Sequence, residues 1–172
     1  DGGSLKFDYF SPDEKNRLSV FASAANTDRD SYYGPGNDPL KAYGKTTDLT
    51  AMGGAQYVHT FDKCFFMPSD LTAGLEYNRD RLKDNMWGYN RHTDQTVNIY
   101  SAFLQNEWKN DRWGILIGGR LDKHNMVDNV IFSPRANLRF NPTQNINLRL
   151  SYSSGFRAPQ AFDEDMHIEN VG

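Results

Sequence analysis

The sequence predicts an all-β fold of antiparallel, up-and-down strands that forms a transmembrane β-barrel or a part of one. Three observations favour this fold: side chains alternate between apolar and polar along several segments, short and long connections alternate along the chain, and the polar side of the strands is highly charged. A period of two is typical of a strand with different surroundings on its two faces. About eight such strands fit into the 172 residues.

The clearest strand is 145–153, NINLRLSYS, in which apolar or aromatic residues alternate strictly with polar ones. Three further segments, 71–78, 112–122 and 135–140, alternate in the same way. Weaker alternation marks the remaining expected strands, which are 5–10, 17–33, 48–61 and 95–109.

The connections between these strands fall into two kinds that follow one another in turn. Short turns rich in Pro, Asp and Asn are expected at 11–16, 62–70, 110–111 and 141–144. Longer polar connections are expected at 34–47, 83–94 and 123–131. This alternation is typical of hairpins that cross a bilayer, with tight turns on the periplasmic side and longer loops outside.

Aromatic residues stand near the short-turn ends of several strands, where they could form a girdle at the membrane interface. They are Phe10, Phe61, Trp108, Trp113 and Phe140. The alternative is that they cap the core of a soluble β-sandwich. The polar face favours the membrane, because a dry core would require every charge to be paired, whereas a wide aqueous lumen would not. That face carries Arg112, Arg120, Arg135, Arg139 and Arg149, with Glu76 and Asp122.

Composition and motifs exclude several classes of function. The net charge is −3 without a clustered basic face, so nucleic acid is not an expected partner. The one cysteine, Cys64, cannot form an internal disulfide. No catalytic motif or set of paired carboxylates is present, so we predict no enzyme, no catalytic residues, no metal site and no cofactor. The acidic patch Asp163–Asp165 is interpreted as part of a solvated loop rather than a Ca²⁺ site.

Four aromatic residues lie in or beside the long connections and are candidates for ligand binding: Tyr32, Tyr33, Trp87 and Tyr89. Aromatic rings stack well on flat or cyclic solutes. Packing within the loops is the alternative interpretation of all four.

The stretch 133–165, SPRANLRFNPTQNINLRLSYSSGFRAPQAFDED, resembles the late barrel region of TonB-dependent outer-membrane receptors. The resemblance rests on Ser-Pro-Arg opening a strand, an Asn-Pro-Thr turn, an alternating strand and an aromatic-Arg-Ala-Pro motif. The hairpin at 102–125 is similar to the one that precedes this region in such receptors. The resemblance implies that residues 1–172 are about eight strands of a larger barrel, without its plug domain and its C-terminal strands.

The same resemblance implies a function. Receptors of this family lie in the outer membrane of Gram-negative bacteria and import a scarce solute, such as an iron chelate, haem, cobalamin or a glycan. The expected partners are outer-membrane lipid, the solute, and TonB, which would be contacted through the N-terminal part. The sequence leaves the identity of the solute open.

The motif Gly155, Phe156, Arg157, Ala158 and Pro159 is interpreted mainly as architectural. Pro159 removes a backbone donor and ends the ladder, while Gly155 allows the chain to bend. Arg157 is also a candidate ligand-binding residue, because a guanidinium binds carboxylate or phosphate. His167 is the last candidate, since haem-importing receptors place a histidine beyond the same motif.

Two other interpretations remain open at this stage. One is a complete small eight-stranded β-barrel, either lipocalin-like or a small outer-membrane protein, which would hold one ligand. Closure at eight strands would confine the arginines of the polar face in a narrow interior. The other is a soluble β fragment with open edges, which would tend to pair with copies of itself.

Overall fold

In the computed structural model, residues 1–32, 43–87 and 91–155 are described. These ranges form eight β-strands, which confirms the predicted number. The strands are β1 (Gly2–Phe10), β2 (Asn16–Tyr32), β3 (Tyr43–Cys64), β4 (Met67–Met86), β5 (Arg91–Lys109), β6 (Trp113–His124), β7 (Ile131–Thr143) and β8 (Ile146–Ser153).

The eight strands form one sheet in which each strand is hydrogen-bonded to its neighbours in sequence. Every pair is antiparallel, so the chain runs up and down across the sheet as predicted. Within the described residues β1 and β8 do not pair with each other, and the sheet is therefore open at both edges. This arrangement is a stretch of barrel wall rather than a closed barrel.

Several strands are longer than the sequence predicts. β3 begins at Tyr43 and β4 continues to Met86, although 34–47 and 83–94 are expected to be connections. Alternation is lost in these outer segments because both faces carry polar side chains. The backbone ladder nevertheless continues, since hydrogen bonding between strands does not depend on an apolar face.

The second predicted turn, 62–70, is also much shorter than expected. Only Phe65 and Phe66 connect β3 to β4, and the N–H of Phe66 donates to the carbonyl of Cys64 at 2.9 Å. Phe65 adopts a left-handed backbone conformation with φ of 63°. Such a conformation is uncommon for a bulky residue. Phenylalanine is not a typical turn residue, so the sequence did not reveal that the turn lies at this position.

Directly opposed residues in adjacent strands point to the same side of a sheet, so the register shows which residues of different strands share a face. Leu150 lies opposite Leu138, Leu138 opposite Ile115, and Ile115 opposite Trp108. The same register places six of the predicted polar residues together on the other face: Glu76, Arg120, Asp122, Arg135, Arg139 and Arg149.

Exposure of the two faces is the reverse of that in a soluble protein. Leu75 is 65% exposed and Leu104 56% on the apolar face, whereas Ser19, Thr72 and Ser101 on the polar face are buried. A large exposed apolar surface marks contact with a membrane or another protein. A continuous apolar face on antiparallel strands, opposite a polar face, is the pattern of a transmembrane barrel.

Candidate functional site

The polar face lines an open cavity of about 550 Å³. Side chains from β3 at one side to β8 at the other line it, including Gln56, Glu76, Phe103, Arg135 and Ser153. Adjacent strands lie roughly 4.8 Å apart, so only a curled sheet can bring six strands around one cavity. The polar face is therefore concave, and we call it the lumen face; the apolar face is called the outer face.

Arg120 is the centre of an ionic network on the lumen face. Its guanidinium forms ion pairs with Glu76 at 2.6 Å and with Asp122 at 2.8 Å. It also donates to the hydroxyl of Ser101 at 2.8 Å, and that hydroxyl donates to Asp122 at 2.5 Å. These contacts join β4, β5 and β6 across the lumen wall. One cation is shared by two carboxylates, so Arg120 has little capacity left for a ligand.

Three other arginines of the lumen face differ from Arg120, because none forms an ion pair with a described residue. Arg139 lies directly opposite Arg149 across β7 and β8. Arg139 donates to the carbonyl of Asn110 at 3.2 Å, and Arg149 donates to the side chain of Asn147 at 2.8 Å. Arg135 lines the cavity of about 550 Å³. Like charges directly opposed on adjacent strands are unfavourable, so this side of the lumen favours an anionic partner.

An aromatic girdle lies at the short-turn end of the outer face, with one correction to its predicted membership. The rings of Trp113 and Phe140 stack at 4.2 Å between centroids, and Trp108 stacks on Phe66 at 5.7 Å. Phe10, by contrast, pairs with Arg17 on the lumen face and lies under its guanidinium at 6.0 Å. A shift of one residue reverses the face of a strand, and Tyr9 therefore occupies the outer position.

The candidate ligand-binding residues are only partly within the described ranges. Tyr32 is 57% exposed and pairs with Tyr43 across β2 and β3, with 5.1 Å between ring centroids. Trp87 is exposed and follows the end of β4. The two residues therefore lie on two different hairpins. Tyr43 was missed because it fell within a predicted loop; the register across β2 and β3 is the signal that identifies it.

The remaining predicted site residues lie outside the described residues: Tyr33, Tyr89, Phe156, Arg157, Ala158, Pro159, Asp163–Asp165 and His167. Gly155 is described and follows β8, and a Cβ added to it would meet no atom within 4 Å.

Two carboxyl groups face each other on the lumen side of the outer strand extensions. Asp80 on β4 lies opposite Thr50, two residues from Asp48 on β3. This site is beyond the apolar stretch of β4, which ends at Tyr77. Burial and the adjacent Asp48 carboxylate raise the pKa of Asp80. Asp80 therefore binds a proton more readily than an isolated Asp side chain does.

The described part of the chain has neither a cluster of metal ligands nor a membrane-spanning helix. Residues 1–32, 43–87 and 91–155 contain no group of three or more His, Cys, Asp or Glu side chains arranged to hold a metal ion. A helix long and apolar enough to cross a membrane is likewise absent from these ranges.

Together, the two faces are those of the wall of a transmembrane β-barrel, with an apolar outer surface and a charged lumen. The family model described as TonB dependent receptor-like, beta-barrel matches residues 2–167. The chain belongs to this family, whose members are outer-membrane transport receptors rather than enzymes. A comparison with curated proteins gives no match.

Proposed function

We propose that these eight strands are part of the wall of a larger receptor barrel, which imports a scarce solute with energy relayed by TonB. The observation that carries the proposal is the concave lumen face, on which Arg135, Arg139 and Arg149 of β7 and β8 form no ion pair with a described residue. A transport path needs an aqueous interior, whereas a dry core would not hold these charges. The open edges at β1 and β8 support the larger barrel, with the plug and the closing strands supplied by other parts of the receptor.

The proposed solute is an iron chelate, haem, cobalamin or a glycan. Tyr32 and Trp87 are the described candidates for contact with it, because their exposed rings stand at the loop end of the strands. A flat or cyclic solute would stack on such rings. Tyr33, Tyr89, Arg157 and His167 remain sequence predictions for the same role.

The size and location of the parent protein test the proposed barrel. An antibody raised against this sequence should detect, in the outer-membrane fraction, a band several times larger than the 19.7 kDa of these residues. A band near 19.7 kDa would instead identify a complete small barrel and would contradict the proposal.

Uptake by living cells tests the transport function. A strain that lacks the receptor gene should lose growth on one of the four solute classes when that solute is limiting. Deletion of TonB should give the same defect, whereas supplying the solute in excess should restore growth of both strains. Normal growth of the receptor deletion on every solute would contradict the proposed import.

A further inference from the structure

We propose that Arg139 and Arg149 form a binding site for a carboxylate or phosphate group at the short-turn end of the lumen. This is the periplasmic end by the alternation of connection lengths. The two arginines lie directly opposite each other on β7 and β8. The position of the site at the exit of the barrel rests on the proposed function, whereas the binding of an anion rests on the arginines themselves.

A cavity of about 290 Å³ lies beside the two arginines on the lumen face. Both of them line it, together with Asn137 and Ser151, which form the next opposed pair of β7 and β8 on this face. An amide and a hydroxyl can each donate a hydrogen bond, so four side chains offer donors to the same space. The lining therefore suits a small group that accepts hydrogen bonds.

Neutral partners hold both guanidinium groups in place. Arg139 donates from Nη2 to the carbonyl oxygen of Asn110 at 3.2 Å, and Arg149 donates from Nε to the side-chain oxygen of Asn147 at 2.8 Å. Asn147 is itself fixed, because its amide donates to the side chain of Asn141 at 2.6 Å. Each guanidinium has five N–H groups and uses one of them in these bonds. The arginines are thus oriented without losing their charge, and most of their donors remain for a ligand.

A glycine on the neighbouring strand makes room for Arg139. Gly114 of β6 lies opposite Arg139, and a Cβ added to Gly114 would come within 3.2 Å of the Nε atom of Arg139. A side chain at this position would press on the guanidinium group. The missing side chain therefore lets Arg139 lie close to the backbone of β6.

The charges around the cavity favour an anion. Its lining contains Lys109, Arg139 and Arg149 but only one carboxylate, that of Glu107. Lys109 already forms an ion pair with Asp70 at 2.5 Å. Neither arginine forms an ion pair with a described residue, and this includes Glu107. Two cations of the lining are therefore left without a partner of opposite charge.

A bound anion would also relieve repulsion between the two strands. Directly opposed residues of an antiparallel pair have Cβ atoms roughly 4.5–5.5 Å apart, and like charges at such positions are destabilising. A carboxylate or phosphate can accept hydrogen bonds from two guanidinium groups at once. Two sources could supply this group: the transported solute as it leaves the lumen, or an acidic side chain in the plug of the parent receptor.

The first experiment uses the intact receptor, purified in detergent, with inorganic phosphate as the probe. Phosphorus NMR measures the affinity for phosphate, and thermal unfolding measures the midpoint with and without it. We expect phosphate to bind and to raise the midpoint, because a ligand that binds only the folded state stabilises that state. Arg139→Gln with Arg149→Gln should weaken phosphate binding roughly ten-fold or more, as expected for lost hydrogen bonds between charged groups.

The matched control is Arg29→Gln with Arg79→Gln, which removes the same charge from exposed positions near the loop end of β2 and β4. This control should bind phosphate as the unmodified receptor does. Because Arg139→Gln with Arg149→Gln removes two opposed like charges, this variant should fold at least as stably as the unmodified receptor. The midpoint without phosphate checks that it does.

The second experiment distinguishes the two sources of the anionic group. Arg139→Lys and Arg149→Lys each introduce an amine that a carbodiimide can join to a carboxylate in contact with it, and mass spectrometry identifies the joined peptides. A cross-link to an acidic residue of the plug identifies the plug as the source. Phosphate binding without such a cross-link identifies an anionic group of the solute. Lys109 and Asp70 are the internal control, because their 2.5 Å ion pair should cross-link in every variant.

Equal phosphate affinity in Arg139→Gln with Arg149→Gln and in its control would overturn the proposal. The absence of both phosphate binding and a cross-link to the plug would also overturn it, as would a cross-link to Glu107 alone. Solute uptake by cells is a separate measurement, so a failure of the anion site leaves the proposed import unaffected. A failure of uptake, in turn, would not change the affinity of the purified receptor for phosphate.

Discussion

Arg120 shows how a single charged residue can stabilise a wet barrel wall. Its guanidinium connects Glu76 of β4, Ser101 of β5 and Asp122 of its own strand. The donors are forked, so one side chain satisfies three acceptors on three strands. Arg135 faces the same cavity without an ion pair to a described residue. We therefore expect Arg120 to stabilise the fold. We expect Arg135 to contact solutes or ions in the lumen.

Replacement of these two residues tests that difference. Arg120→Leu leaves two carboxylates without their cation, and it should lower the free energy of unfolding by about 1–2 kcal/mol. We expect a small loss because the Arg120 side chain is 39% exposed, and solvent weakens the ion pairs of an exposed side chain. Arg135→Leu is the matched control and should have a much smaller effect. Urea unfolding of the intact receptor measures the free energy of unfolding of both variants. Similar losses in the two variants would show that the ionic network of Arg120 adds nothing to stability.

Asp80 gives a prediction on pH. Its pKa in the folded chain is raised above the ordinary value of 3.8 by burial and by Asp48. Because the folded state binds this proton more tightly than the unfolded state, stability is lost as pH rises from about 3.8 through the folded pKa. Asp80→Asn should reduce this loss, and Asp48→Asn should do the same by removing the neighbouring charge. The free energy of unfolding is measured from acid to neutral pH. If its slope against pH is unchanged in both variants, the interpretation is wrong.

At the scale of strands, aromatic rings on the lumen face pack over glycines of the adjacent strand. Gly74 of β4 lies opposite Phe103 of β5, and Gly54 of β3 lies opposite Phe21 of β2. A Cβ at Gly54 would come within 2.8 Å of the Phe21 ring. The absence of a side chain on one strand thus makes room for a ring from the next. Cross-strand contacts of this kind are the unit of stabilisation in a sheet.

Gly74→Ala should therefore destabilise the sheet. The added methyl group would overlap the Phe103 ring and lie 3.1 Å from the carbonyl oxygen of Ala55. Since Phe103 can move into the lumen, the expected cost is only about 1 kcal/mol, close to the loss of one cross-strand pair. Gly3→Ala is the control, because no atom lies within 4 Å of its added Cβ. If both substitutions lower the unfolding midpoint equally, the ring contact is not the cause.

At the scale of the whole molecule, the assignment of faces makes opposite predictions for adjacent residues. Leu104 is on the outer face and Gln105 on the lumen face. Leu104→Arg should cost roughly 2–4 kcal/mol in a bilayer, the range for a cation near the midplane. Gln105→Arg should cost little, because the lumen is wet and already holds arginines. In a soluble protein the first substitution would also be mild, since Leu104 is 56% exposed.

Folding of the intact receptor into lipid vesicles measures this difference. We expect Leu104→Arg to lower the denaturant midpoint and the yield of the folded form, while Gln105→Arg matches the unmodified receptor. A larger effect of Gln105→Arg would mean that the faces are assigned the wrong way round.

Much of the fold follows from the sequence alone. Strict alternation in 145–153 identified β8, and the short and long connections identified the up-and-down order. Alternation works here because lipid and water impose different side chains on the two faces. The same reasoning failed for the outer parts of β3 and β4, where water surrounds both faces, and for the turn at Phe65. Family membership was also predictable, from the motifs in 133–165.

The tertiary structure decided what depends on register. It showed that Phe10 faces the lumen, that Tyr32 meets Tyr43, and that Arg139 opposes Arg149. It also brought together, around the lumen cavity, residues of six strands that are far apart in sequence. A periodic sequence determines that a strand has two faces, but not which residues of another strand lie beside it. That choice is fixed by hydrogen bonding between strands, where a shift of one residue exchanges the faces.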